Sequence, residues 1–329
     1  MRKILFRGDA RPSIGTGDLM SLVTLSYYFE QDGWQTYFLI RGYEAGIKII
    51  EGRGIKNVTV IAPDCSIQEE QKAMEAIIAQ NNIDCLFLEI TERTLTDYDL
   101  PSGVKKVCVN FDGIIPDGID IVINWDVEGT TYFDIKRHPK TRFLIGPQYI
   151  ILPFNFDKSR IAARTYAPRP QHVLIAMGGA DELNFTQKVL DTILGIESDL
   201  KITLIIGAGF LYKKELEMSL SKSNNRHVIK QDIKDMFLEY LSCDVAVGAG
   251  GLTSYELIAT ATPVILIATY EHQIGRCEYF DAQGWARYLG YRSYEPDKLR
   301  HLIQNPPAVA STTTFDTGKI VEAVNELFT

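Results

Sequence analysis

Cysteine, positive charge and long apolar runs are all in short supply in this chain, and each shortage removes a class of protein. The five cysteines, Cys65, Cys85, Cys108, Cys243 and Cys277, are far apart and make no C-x-x-C pair. Neither a zinc site nor a disulfide framework is expected. Cys85, Cys108 and Cys243 lie in or beside apolar runs and read as core residues. Lys and Arg number 34 against 42 Asp and Glu, a formal net charge of -8. Such a field repels nucleic acid and anionic membrane surfaces, although N–H groups at one helix start can still hold a diphosphate. No apolar stretch approaches about 20 residues, so no membrane span is expected. Met1-Arg2-Lys3 is followed by three apolar residues before Arg7 and Gly8, which is not a signal-peptide layout. A cytoplasmic protein is the expectation. No G-x-x-x-x-G-K-[ST] sequence is present, and Gly15-Thr16-Gly17-Asp18-Leu19-Met20 is not G-x-G-x-x-G. A P-loop hydrolase and a dinucleotide-binding enzyme are both disfavoured. His138, His172, His227 and His301 have no metal-ligand spacing, and neither a metal nor a cofactor is expected.

What is present is an ordinary globular composition, 46% hydrophobic and 23% charged over 329 residues, the length of about two domains. Ile4-Leu5-Phe6, a glycine-rich turn, Leu19 to Glu30 at helical spacing and Thr36 to Ile40 predict strand, loop, helix, strand. Val58 to Ile61, Ser66 to Gln80, Cys85 to Leu88, Lys106 to Val109 and Ile121 to Ile123 continue the rhythm. Strands apolar on both faces and separated by helices predict a parallel sheet covered on both sides. Between Gly146 and Pro170 four prolines interrupt the pattern, which then restarts at His172. The expected division is a first Rossmann-like domain over 1–150, a linker over 151–170 and a second Rossmann-like domain over 171–329. Open α/β sheets bind ligands at the carboxyl ends of their strands, so the cleft between two facing domains is the expected site.

Three loops carry the chemistry. Val245-Ala246-Val247 runs into Gly248-Ala249-Gly250-Gly251 and directly into a helix. Glycines let the backbone approach a ligand, and the helix start offers unpaired N–H groups. The loop reads as a diphosphate seat, with Thr253 and Ser254 as hydroxyl donors and Glu256 as acceptor for ribose hydroxyls, or as a tight turn in which Thr253 or Ser254 caps the helix. A second turn, Met177-Gly178-Gly179-Ala180-Asp181, follows the first strand of the second half, and Asp181 or Asn184 there reads first as a helix cap. In the third, Gly15 and Gly17 bend the chain and Asp18 stands at the helix start, as a cap or a general base. His272, just after the strand Val264 to Ile267, is the best placed of the histidines.

Together these segments resemble a known family. Arg7-x-Asp9, Gly15-x-Gly17, Gly146-Pro147-x-Tyr149, Met177-Gly178-Gly179-Ala180-Asp181-x-x-Asn184-x-Thr186 and Asp244-x-Ala246-x-Gly248-Ala249-Gly250-Gly251-x-Thr253-Ser254-x-Glu256 are similar, in order, to the PseG/SpsG-like UDP-sugar hydrolases of pseudaminic acid and spore-coat polysaccharide biosynthesis. The resemblance implies the GT-B fold of the MurG transferase, and a metal-independent reaction in which backbone N–H groups and helix dipoles stabilise the leaving diphosphate. It places Gly178, Gly179, Gly250, Gly251, Leu252, Thr253 and Ser254 at the nucleotide, Glu256 at the ribose, and backbone around Ile229 at the uracil. Gly15, Gly17, Asn184, His272 and Gln273 fall on the sugar side. The first half departs from the pattern. Where the family has Gly-His-x-x-Arg, this chain has Gly17-Asp18-Leu19-Met20-Ser21, and Glu89 stands where an Asp is expected.

The implied substrate is a UDP-sugar, cleaved by water with Asp18 as the base that replaces the missing histidine. One alternative is a glycosyltransferase that passes the sugar to an acceptor glycan or lipid-linked sugar. The other is a catalytically silent nucleotide-sugar-binding protein.

Overall fold

A computed structural model describes the chain apart from residues 11–15, 91–93, 154–155, 157–160, 168, 197–198, 208, 224, 232, 234 and 310–314. The chain divides into two compact units, Met1–Phe154 with Phe315–Thr329, and Asn155–Thr314.

The first unit is built on a seven-stranded sheet: β1 (Lys3–Gly8), β2 (Gln35–Arg41), β3 (Val58–Ile61), β4 (Cys85–Glu89), β5 (Lys105–Val109), β6 (Ile121–Asn124) and β7 (Arg142–Ile145). The strands are parallel and lie in the order β3-β2-β1-β4-β5-β6-β7. The order reverses between β1 and β4, the point at which open α/β sheets bind ligands. Helices α1 (Gly17–Gln31), α2 (Glu44–Gly52) and α3 (Ile67–Asn81) connect the early strands. Alternation along each strand assigns the two faces. Phe6 meets Phe38 and Phe87 at 5.2 and 5.5 Å and Phe29 of α1 at 5.9 Å. Leu5, Leu39, Leu86, Leu88 and Cys108 pack with Met74 and Ile77 of α3. Gly8 has no room for a side chain: a Cβ there lies 2.5 Å from Leu22 of α1 and 2.9 Å from the Glu89 carbonyl.

The Arg7-x-Asp9 element is buried within this unit as an ionic knot. Arg7 donates to Glu70 at 2.6 Å and to Asp9 at 2.8 Å. Arg41 donates to Glu70 at 2.6 Å, and its backbone N–H to Asp9 at 2.7 Å. The knot ties β1 and β2 to α3. Ser66 and Glu69 cap α3 reciprocally, satisfying donors at its start.

The second unit repeats the plan with six parallel strands, β8 (His172–Ala176), β9 (Lys201–Ile206), β10 (Arg226–Gln231), β11 (Val245–Ala249), β12 (Val264–Ala268) and β13 (Arg287–Tyr291), ordered β10-β9-β8-β11-β12-β13. Here the reversal falls between β8 and β11. Helices α4 (Phe185–Leu194), α5 (Lys213–Ser221), α6 (Met236–Ser242), α7 (Leu252–Ala259), α8 (Ile274–Ala282) and α9 (Pro296–Gln304) complete it. Val173, Ile175, Ile202 and Leu204 pack with Val189, Leu190, Leu216 and Leu299 in one core. Tyr255 of α7 meets Phe280 of α8 edge-on at 5.0 Å.

Two boundaries differ from the sequence reading. The last helix, α10 (Gly318–Asn325), belongs to the first unit rather than to a second domain running over 171–329. The side chains explain why. Asn325 accepts from Trp34 at 3.1 Å and donates to Asp32 at 2.7 Å, Phe328 packs edge-on against Trp34, and the Thr317 hydroxyl accepts from the Leu152 N–H at 2.9 Å. The described end of the expected linker is also anchored. Arg164 donates to the carbonyls of Thr260 and Cys243 and to the Thr262 hydroxyl, and Tyr166 to the Ala261 carbonyl, all in the second unit.

Candidate functional site

At the carboxyl ends of β8 and β9 in the second unit lies a pocket of about 250 Å³. Gly178 and Gly179 follow β8, Ile206 and Gly207 close β9, Met236 and Tyr240 come from α6, and Thr253 and Glu256 from α7. The two glycine turns are in backbone contact: a Cβ at Gly207 lies 2.2 Å from the Gly179 carbonyl oxygen. Gly178 takes a φ of +100°, which a side chain opposes.

The starts of α4 and α7 differ in what they offer an anion. At α4 the Asp181 carboxylate accepts from the N–H groups of Phe185 and Thr186 at 2.9 and 2.7 Å, so those donors are taken and a negative charge already stands there. At α7 the N-cap is Gly251, with no side-chain cap, and nothing lies within 4 Å of a Cβ placed on it. The first N–H groups of α7, at Leu252 and Thr253, stand at the positive end of the helix dipole. This start alone of the two suits a phosphate.

Several expected ligand contacts are engaged elsewhere. The Ser254 hydroxyl donates to the Gly251 carbonyl at 2.6 Å and Ser254 is fully buried, so it does not serve as a phosphate donor. Three residues into a helix, a serine hydroxyl reaches back to the preceding turn. Gly250 has no room for a side chain, since a Cβ there lies 2.5 Å from Cys277 Sγ and 2.8 Å from Gln273 Cβ. Its glycine is demanded by packing against α8. Gln273 is buried, and its Oε1 accepts from the Thr269 and Tyr270 N–H groups at 2.9 and 3.3 Å. His272 is exposed and stacks on Tyr270. Ile229 pairs with Leu204 and packs on the core rather than lining the pocket. Asn184 adopts a left-handed φ of 51° ahead of α4, and its Oδ1 is buried without a partner among the described residues.

Glu256 belongs to the same helix α7. It lines the pocket and accepts a 2.6 Å hydrogen bond from the Tyr240 hydroxyl. Burial raises its carboxyl above the usual range, and the Tyr240 bond pulls it partly back. Tyr240 was not foreseen; nothing in Met236-Phe237-Leu238-Glu239-Tyr240 separates it from an ordinary core aromatic. Gly207 was also missed, although Gly207-Ala208-Gly209 directly after an apolar run is the signal that could have found it.

In the first unit Asp18 stands in the first turn of α1, and the N-cap position is Thr16. Asp18 is therefore the second residue of the helix rather than its cap, where its charge meets the positive dipole end. Gly17 opens α1 with nothing within 4 Å of a Cβ; Gly15 lies outside the described residues. Glu89 ends β4 at the reversal of strand order, 4% exposed, with Oε2 unpartnered among the described residues. It follows Phe87 by two residues and so shares the face on which α1 packs. Burial pushes the Glu89 carboxyl well above the usual range, and the Asp18 charge adds to the effect. Glu89 and Asp18 thus influence one another electrostatically at the carboxyl end of the central strand β4.

No family model matches the chain. It is 27% identical over 248 residues to an uncharacterized protein of Methanocaldococcus jannaschii, covering 70% of this chain and 49% of that protein. It is 29% identical over 182 residues to the spore coat polysaccharide biosynthesis protein SpsG of Bacillus subtilis, covering 54% and 52%. The chain therefore spans about half the length of the curated relatives it matches. Among solved structures it resembles MurG of Acinetobacter baumannii with a TM-score of 0.63 at 14% identity, over 93% of this chain and 90% of that one. It resembles HepE of Anabaena, solved in complex with UDP and glucose, with a TM-score of 0.62 at 15% identity, over 100% and 99%. With two parallel-sheet α/β units and these neighbours, the chain has the GT-B fold.

Proposed function

We propose that this chain is an enzyme of surface-glycan biosynthesis that displaces UDP from the anomeric carbon of a UDP-sugar, with water as the nucleophile. The observation that carries the reading is the pocket of the second unit, where an uncapped helix start and a desolvated carboxylate stand on the same helix α7. The diphosphate sits at the N–H groups of Leu252 and Thr253, and the ribose hydroxyls donate to Glu256. Gly178 and Gly179 keep the facing wall free of side chains. The polysaccharide role in the name of the SpsG relative and the UDP in the HepE structure point the same way.

In this reading Asp18 accepts a proton from the attacking water. The new bond forms between that oxygen and the anomeric carbon, and the carbon–oxygen bond to the diphosphate breaks with its electron pair leaving on UDP. The helix start stabilises the departing charge. Burial and the Asp18 charge both raise the Glu89 carboxyl, and two neighbouring carboxyls in different environments divide into acid and base in this way.

The test is UDP release from a panel of UDP-hexoses and UDP-diacetamido-sugars, with and without sugar acceptors. Release without acceptor supports hydrolysis. Release that requires an acceptor assigns transfer to an acceptor hydroxyl, and UDP binding with no release under either condition assigns a silent binding protein. Asp18→Asn is expected to lower turnover by about 10²–10⁴-fold while leaving UDP affinity unchanged. Retained turnover removes Asp18 from the mechanism.

A further inference from the structure

We infer that Tyr240 makes the second unit selective for a ribonucleotide over a 2′-deoxyribonucleotide, by fixing one wall of the pocket as an array of hydrogen-bond acceptors. The inference rests on the UDP reading above and names the part of the nucleotide that is discriminated.

The argument follows the protons. Tyr240 is fully buried on α6, and its hydroxyl has one proton to give. That proton goes to Glu256 Oε2 at 2.6 Å, a charge-assisted bond when Glu256 is ionised. The phenolic oxygen is also hydrogen-bonded to the Thr253 side chain. With the Tyr240 proton committed to Glu256, the Thr253 hydroxyl is the donor in that second bond. The direction of the chain is then set, from Thr253 to Tyr240 to Glu256. Thr253 Oγ1 keeps its lone pairs, and the other Glu256 oxygen has no hydrogen bond among the described residues. Both residues line the pocket, so this wall presents acceptors and no free side-chain donor.

Such a wall suits a ligand group that donates twice. The 2′ and 3′ hydroxyls of a ribose do so; a 2′-deoxyribose donates once and leaves a desolvated acceptor unpaired. A buried site built for a hydroxyl rejects the analogue lacking it, because the orphaned group has lost its water and found no replacement. Tyr240 acts as a positioning residue here: it holds Glu256 in one rotamer and sets the Thr253 proton away from the ligand. The pocket walls contributed by Ile206, Gly207 and Met236 hold no comparable polar side chain.

The experiment is calorimetric titration of the wild type, Tyr240→Phe and Glu256→Gln with UDP and with 2′-deoxy-UDP. The wild type is expected to prefer UDP by on the order of 10–100-fold. Tyr240→Phe should bring that ratio to within a few-fold, through weaker UDP binding with 2′-deoxy-UDP little changed. A structural defect alone would weaken both ligands in parallel, so the ratio is the diagnostic. Glu256→Gln should collapse the ratio in the same way, and it carries the test if Tyr240→Phe does not fold. Wild-type binding of both ligands with equal affinity, or a ratio preserved in the variants, overturns the inference while leaving the UDP reading intact. Wild-type binding of neither overturns the UDP reading itself.

Discussion

Glu70 and Glu89 are both buried in the first unit, and their carboxyls are shifted in opposite directions. Burial alone raises Glu70, but hydrogen bonds and charge from Arg7 and Arg41 outweigh it and hold the group down to about 2. Glu89 has the burial without such a cation among the described residues, and Asp18 pushes it further up. A carboxyl whose folded pKa is raised contributes stability that is full below its unfolded value, about 4.3, and is lost as pH rises through the folded one. Glu89→Gln is therefore expected to melt at a higher temperature than the wild type at pH 8, with the difference closing as the pH approaches 4; a thermal-unfolding series over that range checks it. A flat difference across the series means that Glu89 carries no charge cost in the fold. Asp18 was legible in the sequence because it follows Gly15-Thr16-Gly17 at a helix start. Glu89 was visible as an acid at a strand end, but its lack of a cation was not, because Arg7 lies in β1 beside β4 and nothing in the sequence says that its guanidinium is spent on Glu70 and Asp9.

At the level of the element, Gly250 and Gly251 look interchangeable in sequence and are opposite in the structure. Gly250→Ala drives a methyl into Cys277 and Gln273 of the adjoining segment, an overpacking that costs about 1–3 kcal/mol, whereas Gly251→Ala meets nothing within 4 Å. Denaturant unfolding should show the first substitution to be destabilising and the second close to neutral; the reverse order would mean that the turn is held by its ligand rather than by α8. Most strands were legible because a sheet covered on both faces needs continuous apolar runs, as in Val173-Leu174-Ile175 and Val264-Ile265-Leu266. The last strand of each sheet, β7 and β13, was not. β7 is Arg142-Phe143-Leu144-Ile145 after a polar stretch, and β13 is half-buried and includes Gly290 at a φ of +144°, so neither shows the pattern of a central strand. Helix α2 escaped notice for a related reason, since Glu44–Gly52 holds two glycines and just two buried residues.

Taken as a whole molecule, the chain carries one plan twice: a parallel sheet with its order reversed once, and the groups proposed to act on the ligand at the reversal, Asp18 and Glu89 in one unit and Thr253 and Glu256 in the other. The net charge of -8 does not prevent the proposed binding of a diphosphate, because the attraction is local to one uncapped helix start. Fold class was legible at this scale, and the unit boundary was not. The apolar spacing of Ile320, Val321 and Val324 predicts a helix and is silent on which core receives it. Removal of residues 315–329 is expected to lower hydrogen-exchange protection across the first unit, around Trp34 and Leu152 most of all, and to leave the second unit protected. Equal loss in both would mean that the units do not open independently. The same return of the chain bears on its synthesis. At roughly 5–20 residues per second, the stretch from 155 to 314 keeps the ribosome occupied for roughly 8–30 s. Throughout that interval the earlier-made sheet lacks α10, and Asp32 and Trp34 wait without their Asn325 partner, so the unit translated first is the last to be finished.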